Sequence, residues 1–179
     1  QRFRFANAKG GYLMPGLNFG NAKIVRANDH LFLQGQTGLT LDGNDFIGEG
    51  DPVKQAEVAM QNVHELLADA GASIADVCKV TTYLTDPSFR ASVYPVLASH
   101  LGDVHPVSTG TVVKGLARPE LNFEIDVFAM VPENKDEGHK RFRVGGPNFL
   151  PELDYPVSKA VRAGNFVFLQ GQTGLELDG

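Results

Sequence analysis

Two hydrophobic periods organise the first 133 residues. Arg2–Phe5 alternates polar and apolar, the period of a half-buried strand. Lys23–Ala27 and His30–Gln36 read as two more strands joined at Asn28-Asp29, a pair that tolerates the positive φ of a tight hairpin. Gly35 and Gly38 interrupt the second of these, and glycine inside a strand marks a bulge or a close backbone approach. Asp51-Pro52 then opens a helix, Asp as N-cap and Pro at the first helical position. Ala56, Ala59, Met60, Val63, Leu66, Leu67 and Ala70 recur on its inner face, Gln55, Glu57, Gln61 and Glu65 make its wet face, and Gly71 ends it. Val77–Leu84 is a β-branched strand, and Asp86-Pro87 starts a second helix, Ser88–Leu101, in which Pro95 predicts a kink or break. Val107–Val113 and Leu121–Val131 complete the set, the latter with Phe123, Ile125 and Val127 on one face and Asn122, Glu124, Asp126 and Phe128 on the other. The order βββαβαββ predicts an α+β domain, a mostly antiparallel sheet with two helices packed on one face.

The opening pattern is then written a second time. His30–Gly43, HLFLQGQTGLTLDG, returns at Phe166–Gly179 as FVFLQGQTGLELDG. Lys23–Ala27 matches Lys159–Ala163, and Arg2–Phe5 matches Arg141–Val144 at a slightly different offset. A unit of this length is read as tandem copies of one domain. Residues 1–133 form a complete domain, the charged stretch 134–140 a linker, and 141–179 the opening strands of a second, incomplete domain. Strands without a covering helix leave an apolar face and an open edge. The expectation is therefore that the rest of copy two is disordered, or carried as a separate chain after cleavage near Gly179.

Composition narrows the function classes. A net charge of -5 gives no basic footprint for nucleic acid. No apolar run approaches the ~20 residues that cross a bilayer, and the single cysteine, Cys78, fits a reducing, cytoplasmic setting without disulfides. Cys78 itself, in an apolar strand, reads as core and not as a reactive thiolate. The five histidines show no zinc spacing, so neither metal nor cofactor is expected. The Gln34–Gly38 segment has too few glycines for a phosphate loop.

Read in order, copy one resembles the RidA/YjgF-like (reactive intermediate deaminase, Rid) family. The resemblance rests on the strand ending in Gly35-Gln36, on Gly50-Asp51-Pro52 and Gln55 opening a helix, on Gln61-Asn62-Val63, on Ala70-Gly71-Ala72 before Val77–Leu84, and on Leu121–Ala129. In copy two, Tyr155–Val161 is closer to the family pattern than Phe19–Ala22. The resemblance implies a chorismate-mutase-like fold that trimerises around its sheets, with pockets between modules where enamines and imines are hydrolysed to a keto acid and ammonia. It also implies an arginine after Pro106 that grips a substrate carboxylate, and a glutamate on the last strand. Here the arginine position is Ser108, and Glu124 keeps the acidic one.

The candidate site residues are therefore Glu124 and Ser108 as catalytic groups, with Thr109, Gln36 and Arg118 binding substrate and Arg118 standing in for the missing cation. Ser108 reads as a nucleophile, as a pocket-lining hydroxyl or as a plain strand residue; His105 is near in sequence, but strand geometry does not set it beside Ser108. Glu124 and Asp126 share a face roughly 7 Å apart by strand rise, either sharing a proton or forming a solvated, salt-bridged face. Arg26 and its repeat Arg162 read equally as surface or functional residues. The leading expectation is a divergent hydrolase of small enamines, imines or related C–N compounds. Its partners are a small-molecule substrate and other modules, in a trimer-like homo-oligomer or an assembly with the remainder of copy two, without nucleic acid or membrane. The alternatives are a non-catalytic ligand-binding module and, third, an RNA-cleaving translation inhibitor.

Overall fold

The computed structural model describes residues 1–5, 11–17, 20–132, 138–143, 155 and 157–174. Most of the expected 134–140 linker lies outside them. Copy one forms β1 (Arg2–Phe5), β2 (Ala22–Ala27), β3 (His30–Leu33), α1 (Pro52–Asp69), β4 (Val77–Leu84), α2 (Arg90–Leu101), β5 (Val107–Val112) and β6 (Phe123–Met130). The six strands make one sheet in the order β1-β2-β3-β6-β4-β5, in which only β4 and β5 run parallel. This is the predicted α+β arrangement.

Alternation along β6 sorts the sheet into two faces. Phe123, Ile125, Val127 and Ala129 are buried with the inner residues of both helices. Glu124, Asp126 and Phe128 lie on the other face, as the strand period requires. The α1 N-terminus is fixed as expected: the Asp51 carboxylate accepts from the amides of Val53 and Lys54, each at 3.1 Å. Gly71 closes the helix with a left-handed φ of +71°.

Two expectations for the helices need correction. Gln55, placed on the wet face, is fully buried. Its amide nitrogen donates to the carbonyls of Gly48 (2.7 Å) and Glu120 (3.0 Å), and its oxygen accepts from the amides of Asn122 (2.8 Å) and Phe123 (3.2 Å). It thus joins the loop before α1 to the loop before β6. Pro95 does not break α2, which runs without interruption from Arg90 to Leu101 after a 3-10 turn at Pro87–Phe89.

Copy two supplies β7 (Lys140–Phe142), β8 (Ala160–Ala163) and β9 (Phe166–Leu169), a separate antiparallel sheet. Its register repeats that of copy one: Arg141 pairs with Val161 as Arg2 pairs with Val25, and Ala163 with Phe166 as Ala27 with His30. One face of this sheet packs on the helix-free face of copy one, where Val161, Ala163 and Phe168 meet Cys78, Val107 and Met130. Its other face has no covering helix among the described residues. Val167 and Leu169 are 60% exposed, whereas their counterparts Leu31 and Leu33, in the core shared with α1, are 1% and 8% exposed.

Candidate functional site

The helix-free face of copy one carries the polar side chains. In the ladder, Glu124 of β6 pairs with Tyr83 of β4, and Tyr83 with Thr111 of β5; the next row is Asp126, Thr81 and Thr109. Residues directly opposite one another share a face, so these six side chains form one polar floor. The Tyr83 hydroxyl donates to Asp126 Oδ2 at 3.0 Å.

Glu124 is held by β3. Between the Phe32–Phe128 pair and the Gln36–Ile125 bridge, four steps along the β3 chain span three along β6, which is a bulge. It falls at Gln34-Gly35, where the sequence predicted one. The bulge brings the Gly35 main chain against Glu124: a Cβ there would overlap the Glu124 carboxylate and lie 3.2 Å from Asp126 Oδ1. Burial raises the Glu124 carboxyl above the ordinary carboxylate range, and the neighbouring Asp126 charge adds to the rise. A half-buried carboxyl of raised pKa beside a second carboxylate and a phenol can take up and release a proton.

Copy two clasps β5, the edge strand, from both faces. On the polar-floor side, the Gly171 amide donates to Thr109 Oγ1 at 3.1 Å. At the foot of the strand, Ser158 donates through its amide to the Pro106 carbonyl (3.0 Å) and through its hydroxyl to the His105 carbonyl (2.7 Å). Arg141 reaches beneath, donating to the carbonyls of Val77, His105 and Ala75 at 3.0 to 3.4 Å. On the helix side, Tyr155 stacks on Tyr94 of α2, ring centres 5.0 Å apart.

The structure brings Glu124 and Thr109 onto one face and sets Ser108 on the other. Ser108 pairs with Val80, a core residue, and is buried toward the helices. Glu124 and Ser108, grouped by the sequence reading in a pocket between modules, thus stand on opposite faces of this sheet. Gln36 is buried with its amide turned back on the Gln34 carbonyl (2.7 Å), a bond that Gln172 repeats on Gln170 (2.8 Å) in copy two. Arg118 is paired with Glu120 at 3.1 Å and lies 5.0 Å over the Tyr12 ring, in the loop beyond the far end of β5 from Ser108. Its charge is already committed. Tyr83, Tyr155 and Arg141 are the residues sequence reasoning did not place: the first shares a strand with core residues, and the other two act on a copy to which they do not belong.

This strand order, with two helices on one face and polar chemistry on the other, is the fold of the YjgF/RidA proteins. Residues 19–131 match the family model described as Endoribonuclease L-PSP, and the chain belongs to that family. It is 32% identical to the RutC family protein YjgH of Escherichia coli strain K12 over 109 residues, 61% of this chain and 81% of that one. It is 30% identical to the RutC family protein PH0854 of Pyrococcus horikoshii over 60% of this chain and 84% of that one. Among solved structures it is similar to Rv2704 of Mycobacterium tuberculosis, a YjgF/YER057c/UK114 family member: 31% identity, TM-score 0.56, covering 63% of this chain and 88% of that one. The likeness to RidA of an Antarctic Psychrobacter, at 22% identity and TM-score 0.59 over 73% of this chain and 100% of that one, is one of fold alone.

Proposed function

We propose that the chain hydrolyses a small C–N compound, an imine or enamine, on the polar floor of copy one, with Glu124 managing the proton. The observation that supports this most is a raised, half-buried carboxyl wedged between the Gly35 main chain and Asp126. In the reaction, Glu124 takes a proton from water as the water oxygen bonds to the imine carbon, and passes that proton to the nitrogen. In the resulting carbinolamine Glu124 takes the hydroxyl proton as the C=O bond forms and the C–N bond breaks, hands it to the departing nitrogen, and a ketone and ammonia leave. Thr109, held by Gly171, and Thr111 border the substrate, and copy two walls one side.

Ammonia release from the imine of pyruvate and from the imine of its amide tests the reading. Glu124→Gln lowers the rate by two orders of magnitude or more, the usual scale of a lost general acid or base; an unchanged rate overturns it.

A second reading, ligand binding without turnover, is favoured by Ser108 in the place of the family's arginine. It predicts that such ligands stabilise the protein while no ammonia appears. The similar yeast Mmf1 is mitochondrial; we assign this chain to the cytoplasm on its single, buried cysteine. Assembly into a ring of like modules is part of the same proposal, and the packing of β8 and β9 on the helix-free face of copy one supports it.

A further inference from the structure

We propose that Lys23 is a covalent capture site for small uncharged aldehydes, its amine forming an imine beside Gln34. This chemistry is separate from the reaction assigned to Glu124. It needs no enclosing pocket, because the bond itself holds the ligand.

The strand period places the pair. Ile24 of β2 is fully buried against the helices, so its neighbour Lys23 points to the helix-free face. The Gln34 amide donates to the Lys23 carbonyl at 2.9 Å, one step beyond the Ile24–Leu33 pair, which sets the two side chains opposite one another on that face.

The surroundings then single Lys23 out. Its side chain is half-buried, yet among the described residues it forms no ion pair. Asp42 is the charge that acts on it, and the Asp42 carboxylate is already engaged by Thr40 and Asn44. Across the strand, Gln34 Oε1 is buried and accepts no hydrogen bond. An ammonium drawn out of water without a partner is disfavoured against its neutral form, and burial lowers the Lys23 pKa accordingly. A desolvated lysine of this kind is the form in which the amine acts as a nucleophile toward carbonyl compounds.

The step balances without any further reagent. The Nζ lone pair attacks the aldehyde carbon, and the carbonyl oxygen takes one amine proton to give a carbinolamine. Its new hydroxyl donates to Gln34 Oε1, the acceptor left open by the fold. The second amine proton departs with that hydroxyl as water, and a C=N bond remains. Imine formation discharges Lys23 and leaves Asp42 as the neighbouring charge. A carbonyl compound that carries a carboxylate would meet like charge there, so a small neutral aldehyde fits.

The test applies propionaldehyde to the whole chain at pH 7 with cyanoborohydride, which reduces the imine to a stable amine, and maps labelled lysines by mass spectrometry. Lys23 is expected to be labelled severalfold faster than Lys54, which is exposed and paired with Asp51. Gln34→Leu is expected to bring Lys23 down toward the Lys54 rate. Glyoxylate, an aldehyde with a carboxylate, is expected to label Lys23 no faster than Lys54. Labelling of Lys23 by propionaldehyde no faster than Lys54, an equal preference with glyoxylate, or an undiminished rate in Gln34→Leu overturns the proposal. The wild-type comparisons decide on their own should Gln34→Leu fold poorly. Since the readout is adduct formation, ammonia release can fail with Lys23 labelled, and labelling can fail with turnover intact, so the two readings fall separately.

Discussion

The main chain of Gly35 lies directly against the carboxylate of Glu124, with no room for a side chain between them. This contact fixes where the acid sits and keeps it partly out of water. In Gly35→Ala the added methyl must push Glu124 aside. Overpacking of this kind costs about 1–3 kcal/mol, and a displacement of roughly 1 Å at a reacting group costs on the order of 100-fold in rate. The expected variant is folded, slightly less stable, and nearly inactive in ammonia release. A folded variant with full activity would show that the placement of Glu124 is not critical.

The raised pKa of Glu124 makes a signed prediction about stability. Burial and the Asp126 charge favour its protonated form in the folded state. That contribution is fully present below the unfolded value of about 4.3 and is lost as pH rises through the higher folded value. Glu124→Gln removes the penalty of ionisation, so its stability relative to wild type should increase from about pH 4 toward neutrality. Urea midpoints measured across that range check it; a difference that is flat, or that shrinks with pH, contradicts the assignment.

Cys78 reports on the seating of copy two. The thiol is fully buried beneath Val161 and Ala163, and burial pushes its pKa up to about 12. An aromatic disulfide reagent should leave it unmodified in the native protein at pH 8. Arg141→Ala removes the donors to Ala75, Val77 and His105, and should loosen β7 to β9 enough to make Cys78 react while copy one stays folded. Protection unchanged in that variant would mean that apolar contact alone holds the two sheets.

Gln55 carries more of the fold than its place on a helix surface suggests. Replacing it with Leu leaves backbone groups at Gly48, Glu120, Asn122 and Phe123 without partners, and each buried orphan costs about 1–3 kcal/mol. We expect a loss of about 3 kcal/mol or more by denaturant unfolding, against less than about 0.5 kcal/mol for Gln61→Leu at the exposed position six residues on.

That contrast shows what the sequence could disclose. The apolar repeat of α1, its Asp51-Pro52 start and the alternation of β6 depend on neighbours within a few residues, and all three were legible. The bulge at Gly35 was legible too, because glycine in a strand has few other reasons to be there. Gln55 was not, since its partners at Glu120, Asn122 and Phe123 lie 65 to 68 residues away. Nor could local reading tell that Ser108 and Glu124 face opposite ways: their relation depends on the parallel register of β5 on β4 and the antiparallel register of β6 on β4, which no local period encodes. Pro95 misled because its preference concerns an isolated helix, whereas α2 is held by Val93, Tyr94 and Leu97 in the core.

The measurement that bears most directly on the account is the rate of ammonia release from the two imines by wild type, Glu124→Gln and Asp126→Asn, taken across pH. The account predicts turnover by wild type, a fall of two orders of magnitude or more in Glu124→Gln, and in Asp126→Asn a pH profile whose acid limb moves to lower pH as the neighbouring charge that raises Glu124 is removed. Turnover that survives intact in Glu124→Gln, or no turnover of either imine by wild type, would contradict it.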